Sequence, residues 1–274
     1  MIPFAKAHAC GNDFLIVTED AAAGRNRANL TRQLCARNTG VGADGIEFFS
    51  WTGSKSGRIR LHNADGSIAE ISGNGTRCVA AWMSAMVGAK PGDEMRIETD
   101  AGMRVCRING VHAANGYSVD ITTGMGIPTA LRKTVTLANG SSIEGFAVST
   151  GNPHFVIVVD NPAFSVTGEP WQLIGAAICT HSDFPDQTNV EFVRILNPSE
   201  IEIRIFERGV GPTTSSGTGT SASATAAVAF HDCSSPLRVA APGGPQSVVW
   251  RGFGTELELT GPATLIARGE AWCE

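Results

Sequence analysis

The feature that most restricts this chain is a repeat carried by its polar segments. Gly11-Asn12-Asp13-Phe14 is answered by Gly151-Asn152-Pro153-His154-Phe155, an offset of 140 residues at the Gly-Asn pair. Ser72-Gly73-Asn74-Gly75-Thr76 is answered by Ser216-Gly217-Thr218-Gly219-Thr220, an offset of 144. In each copy the Ser-Gly-x-Gly-Thr element precedes an alanine-rich apolar stretch, RCVAAWMSAM or SASATAAVAF, which reads as a buried helix. A strand-like alternation precedes each serine, RIRLHNADG in one copy and IEIRIFERGVG in the other, joined to it by a loop. The unit strand, loop, helix therefore occurs twice, and a fixed period of this kind means two copies of one architecture.

A chain of 274 residues is long enough for two domains of ordinary size. MRIET, MRVCRING, YSVDITT, HFVIVVD, SVVWRG and TELELTG read as further strands with turn residues at their ends. Helices are expected around 30–37, 73–87, 170–178 and 217–230. The fold class is α+β, made of two similar pseudo-symmetric halves. HAANGYS, at about 113–118, reads as the connector. It sets the halves at 1–115 and 116–261, with about 262–274 returning to complete the first.

Composition removes several functions. A net charge of -5, with no Lys/Arg cluster interleaved with aromatics, gives no nucleic-acid footprint. The opening MIPFAKAHACGNDF lacks a charged region followed by an apolar one, and no run of about 18 apolar residues occurs. A cytoplasmic protein without a membrane partner is expected. The seven cysteines are scattered, with no C-x-x-C pair, so neither a metal site nor a disulfide framework is expected. None of the four lysines lies in a glycine-rich segment, which argues against a Schiff-base cofactor.

The glycine-bracketed serines sit at helix starts, where unpaired backbone N–H groups and the helix dipole attract an anion. Two copies of one unit usually pack about a pseudo-two-fold axis, which would aim both helix mouths at one carboxylate. Backbone groups at Gly73, Asn74, Gly217 and Thr218 would bind it, with Ser72 and Ser216 facing each other across the ligand. Two acid/base groups on opposite faces of one carbon are what cofactor-independent racemisation or epimerisation requires. The helix mouths would stabilise the enolate-like charge that develops. Asn12, Asn63, Asn152, Asn189, Glu207 and Arg208 are suited to hold amino and carboxylate groups. Taken singly, each serine reads more often as an ordinary helix cap, and His154 more often as a structural histidine. The repetition favours the paired site. Gly217 to Ala222 also fits G-x-G-x-x-A, but strand IEIRIF ends some ten residues before Gly217, where a dinucleotide fold needs a tight turn.

These segments resemble the diaminopimelate epimerase family from end to end. HACGNDFLIV, NTGVGADGI, NADGSIAEISGNGTRC, TGNPHFVI, TNVEFV and ERGVGPTTSSGTGTSA are similar to its motifs and follow its order. The resemblance implies two α+β domains, each a β-barrel-like sheet around a central helix, in a homodimer. It implies a cofactor-free, two-base reaction interconverting LL- and meso-diaminopimelate in lysine and peptidoglycan precursor synthesis. By position, Asn12, Asn63, Asn152, Asn189, Glu207 and Arg208 match substrate-binding residues of the family, as do Gly73, Asn74, Gly217 and Thr218. His154 and Glu207 match residues beside the catalytic pair.

Two departures stand out. The family's bases are cysteines, where this chain has Ser72 and Ser216, and Pro212 stands where the family commonly has Glu. A serine hydroxyl with a pKa roughly five units above a thiol makes the anion costlier by about 7 kcal/mol, on the order of 10⁵ in rate. Three readings stay open: serines engineered in place of cysteines, native serines with slower or different α-proton chemistry, as on a hydroxyproline-like substrate, or ligand binding without turnover. The hydroxyl-rich TTSSGTGTSASAT and Pro212 favour native serines.

Overall fold

The computed structural model describes residues 1–69, 71–112 and 116–273. In chain order its elements are β1 (Ile2–Ala9), β2 (Asn12–Thr18), α1 (Arg27–Cys35), β3 (Gly45–Gly53), β4 (Ser56–Asn63), β5 (Ile68–Ala69), α2 (Gly73–Val87), β6 (Glu94–Thr99), β7 (Gly102–His112) and β8 (Tyr117–Gly124). There follow β9 (Thr129–Thr136), β10 (Ser142–Ser149), β11 (Pro153–Val159), α3 (Trp171–Cys179), β12 (Asn189–Asn197), β13 (Glu200–Glu207), β14 (Gly211–Thr213), α4 (Gly217–Phe230), β15 (Leu237–Ala241), β16 (Gly244–Val249) and β17 (Glu258–Ala271). The chain divides into two compact units, residues 1–123 with 260–274, and residues 124–259.

The first unit is a closed barrel of eight strands around one helix. β1 pairs antiparallel with β2, β2 parallel with β3, β3 antiparallel with β4, and β4 parallel with β6. Antiparallel pairs join β6 to β7 and β7 to β8. β17 then pairs with both β8 and β1, which closes the ring. Alternation along β2 explains the layering. Phe14 and Ile16 point inward to Cys78, Val79, Ala80 and Met83 of α2, whereas Leu15 and Val17 point outward to Leu30 and Leu34 of α1. α2 is buried almost throughout because it runs inside the barrel, where its small residues let strands approach.

The second unit repeats this element order. β10 and β11 correspond to β1 and β2, α3 to α1, β12 and β13 to β3 and β4, α4 to α2, and β15 and β16 to β6 and β7. The pairings repeat as well: β10 with β11, β11 parallel with β12, β12 with β13, and β13 parallel with β15. Val156 packs on α4 and Phe155 and Ile157 on α3. α4 carries many hydroxyls yet is buried. Ser221, Ser223 and Thr225 each donate to the carbonyl four residues back, at 2.9, 2.8 and 2.8 Å, which removes the cost of burying them.

All four expected helices are present, two of them with shifted ends. α1 starts at Arg27 rather than near residue 30 because the Asn26 side chain caps it, accepting from Asn29 N at 2.9 Å. Residues 113–115 of the expected connector lie outside the described residues, and the flanking strands β7 and β8 pair with each other through His112 and Ser118. Among the described residues no helix is long and apolar enough to cross a membrane.

Candidate functional site

Each unit carries one helix mouth surrounded by polar side chains. In the first unit Ser72 is the N-cap of α2, in extended conformation, and its Oγ accepts from Gly75 N at 3.0 Å. The turn between β1 and β2 brings Asn12 to it. Cys10 and Gly11 both have positive φ, +53° and +84°, the signature of a tight hairpin. Asn12 Oδ1 accepts from Asn74 Nδ2 at 3.1 Å, and Asn12 Nδ2 donates to Asp44 Oδ2 at 2.6 Å. Asp44 Oδ2 also accepts from Asp13 N at 3.0 Å, so the loop before β3 is pinned to the start of β2. Asn63 lies opposite Gly45 at the end of β4 and donates to Ser67 Oγ at 3.0 Å. Burial alone would raise the Asp13 pKa, but Arg37 and Lys6, each 3.0 Å away, outweigh it and hold the carboxyl below its usual range.

The second unit has the same plan with different polar groups. Ser216 caps α4 and its Oγ accepts from Gly219 N at 3.1 Å. Thr218 Oγ1 lies 3.3 Å from Ser216 Oγ and accepts from Asn152 Nδ2 at 3.4 Å. Asn152 Oδ1 is 2.9 Å from His154 Nε2, whose other ring nitrogen is 2.8 Å from Glu191 Oε1. A continuous polar chain thus runs from Ser216 through Thr218, Asn152 and His154 to Glu191. Asn189 Oδ1 accepts from Arg208 N at 2.9 Å, and Asn189 Nδ2 donates to Pro153 O at 3.1 Å. Arg208 itself is exposed, with its guanidinium on Asp186 O at 2.7 Å. Glu207 ends β13, where it pairs with Gly211.

Hydrogen bonds therefore join Asn12 and Asn74 at the mouth capped by Ser72, and Asn152, His154 and Thr218 at the mouth capped by Ser216, whereas Asn63, Asn189 and Glu207 lie at the ends of β4, β12 and β13 and Arg208 just after β13. The carboxyl partner of His154 is Glu191, 2.8 Å from its Nδ1. Among the described residues no cluster of His, Cys, Asp and Glu could hold a metal ion.

Three residues at these mouths escape the sequence reading. Glu47 and Glu191 are fully buried, and both press on a helix-start glycine: a Cβ on Gly75 would come 2.1 Å from Glu47 Oε1, and one on Gly219 would come 2.8 Å from Glu191 Oε1. Burial pushes Glu47 up to about 8, and neither of its oxygens has a hydrogen-bond partner among the described residues. Burial also raises Glu191, against the lowering effect of His154. The signal was available. Glu47 in GIEFF and Glu191 in NVEFV are 144 residues apart, the serine offset, and each interrupts an apolar strand. The third, Arg77, is buried beneath Asn74.

Comparison with known proteins gives this arrangement a lineage. The family model for diaminopimelate epimerase matches residues 4–129 and 146–266. The chain belongs to the diaminopimelate epimerase family. It is 33% identical to the diaminopimelate epimerase of Moorella thermoacetica over 283 residues, covering 97% of this chain and 98% of that protein. It is 36% identical over 282 residues to that of Corynebacterium glutamicum, with 98% of each covered. Among solved structures, a probable proline racemase from Agrobacterium radiobacter with bound carbonate superposes with a TM-score of 0.75 at 14% identity, covering 100% of this chain and 94% of that one. A hydroxyproline epimerase from Agrobacterium vitis superposes with a TM-score of 0.70 at 16% identity, over 98% and 91% of the two chains. These likenesses establish the two-domain fold shared by this family of isomerases and its structural neighbours.

Proposed function

We propose that this protein acts on the α-carbon of an amino acid by the two-base route, with diaminopimelate as substrate and LL/meso interconversion as the reaction. The observation that carries this reading is the recurrence of one device. Ser72 and Ser216, 144 residues apart, each cap a buried helix and each accept a backbone N–H from the glycine three residues on. One position removes the α-proton and the other returns a proton to the opposite face, so protons balance over one turnover. The first N–H groups of α2 and α4 stabilise the charge that grows on the substrate carboxylate. Asn12, Asn63, Asn152, Asn189, Glu207 and Arg208 position the amino and carboxylate groups. By the same reading the enzyme needs no cofactor and works as a cytoplasmic homodimer.

The hydroxyls set the rate. Donation from Gly75 N and Gly219 N favours the anion at each serine, yet a deficit of about five pKa units against a thiol leaves turnover on the order of 10⁵ slower than with cysteines. The serines also favour a second reading, an isomerase or dehydratase for a hydroxyproline-like substrate. The hydrogen-bonded chain from Ser216 through Thr218 and Asn152 to His154 supports it, because its polar partners hold a hydroxyl at position 216 in one orientation. Solvent-deuterium exchange at the α-carbon separates the readings when measured with LL-diaminopimelate, meso-diaminopimelate and trans-4-hydroxyproline. Binding and exchange with diaminopimelate support the first, and exchange with hydroxyproline alone supports the second.

A further inference from the structure

The interior of the first unit holds a cation with no paired carboxylate among the described residues. Arg77, in the first turns of α2, has 0% exposure. Its Nη2 donates to Asn74 Oδ1 at 2.6 Å and a further hydrogen bond joins it to the Cys10 thiol, while Nε and Nη1 have no hydrogen-bond partner among the described residues. Among the described residues no carboxylate is paired with it. The titratable groups around it are thiols: Cys10 on the β1–β2 turn, Cys78 on α2 and Cys106 on β7. Burial pushes Cys106 up to about 11 and Cys78 higher, so both are neutral near pH 7. Beyond Cys78 stand Glu47 on β3, also neutral there, and Asp13 on β2, which is occupied by Lys6 and Arg37.

Burying an unpaired charge is strongly unfavourable, and packing alone does not require it. The second unit does without one. The position 144 residues on from Arg77 is Ser221, whose hydroxyl is spent on Gly217 O at 2.9 Å. Arg77 does not touch the cap itself. It holds Asn74, which holds Asn12, and its charge lies at the same helix end as Ser72, where it adds to the helix dipole.

We propose that Arg77 is a positioning residue of the first helix mouth, fixing Asn74 and lowering the proton affinity of the group at position 72 through its uncompensated charge. The proposal rests on position 72 being an acid/base position. It makes the two mouths unlike: the first is tuned by a buried cation, the second by the His154–Glu191 pair.

The test places a reporter thiol at each mouth through Ser72→Cys and, separately, Ser216→Cys, and follows iodoacetamide alkylation of that one peptide by mass spectrometry across pH. Arg77→Met is then introduced into each, with near-UV circular dichroism as the check on folding and Arg77→Gln as the replacement if the spectrum is lost. The expected result is a midpoint at position 72 that rises by about one pH unit without Arg77, about tenfold slower alkylation below the midpoint, with position 216 unmoved. Arg77→Lys, which keeps the charge, is expected to restore most of the lowering. An unchanged midpoint at 72, or equal shifts at 72 and 216, overturns the proposal. So does a midpoint at 72 of about 8.5 or more in the Ser72→Cys protein with Arg77 intact, the value of an ordinary cysteine. No substrate enters these measurements, so absence of α-proton exchange counts against the epimerase reading and leaves the thiol midpoints to judge Arg77.

Discussion

His154 Nδ1 lies 2.8 Å from Glu191 Oε1, with both side chains fully buried in the second unit. The pair anchors the polar chain that reaches Ser216, so it serves the fold and the site together. Removing one partner leaves the other buried without compensation. Glu191→Ala is expected to lower stability by about 3–5 kcal/mol, whereas Glu191→Gln, which keeps a hydrogen-bonding partner for His154, costs about 1 kcal/mol. Urea unfolding of the two variants against the parent checks both figures. Equal losses would mean that the cavity, and not the lost partner, dominates.

Glu47 makes stability fall as pH rises. Its pKa is raised from 4.5 to about 8 in the fold, so between those values the folded chain holds a proton that the unfolded chain has released. The cost is absent below pH 4.5, grows by about 1.4 kcal/mol per pH unit across the window, and levels off above pH 8. Glu47→Gln removes the slope. Denaturation midpoints of the two proteins are expected to diverge steadily from pH 5 to pH 8, with the variant the more stable at the upper end. Parallel curves over that range would show that Glu47 ionises normally.

Gly75 and Gly219 are helical positions where alanine would ordinarily gain about 1 kcal/mol. Here the added Cβ meets a buried carboxyl, at 2.1 Å from Glu47 Oε1 and 2.8 Å from Glu191 Oε1. Gly75→Ala is therefore expected to be destabilising by about 1–3 kcal/mol, and more so than Gly219→Ala. The loss should largely vanish in the Glu47→Ala background, a coupling that a double-mutant cycle reads directly.

The Ser-Gly-x-Gly-Thr repeat announced the fold well, because helix caps and glycines leave local signals in the chain. Ser72 and Ser216, the four helices and the polar residues Asn12, Asn152 and His154 were legible for that reason. Glu47 and Glu191 left a fainter signal, the shared offset of 144 residues, and Arg77 left none; what the sequence does not disclose for any of the three is burial, which comes only when the strands close over them. Glu191 shows the limit clearly. Its partner His154 is 37 residues away, brought alongside by the parallel pairing of β11 with β12, a contact that no local pattern encodes.

The most direct test of the central claim is α-proton exchange with solvent deuterium, measured on LL- and meso-diaminopimelate for the parent and for the Ser72→Cys/Ser216→Cys double variant. Binding of diaminopimelate to both, slow exchange in the parent and exchange faster by several orders of magnitude in the double variant is the expected result. Failure of both proteins to bind or exchange diaminopimelate would contradict the assignment, and fast exchange by the parent would contradict the energetic argument about its serines.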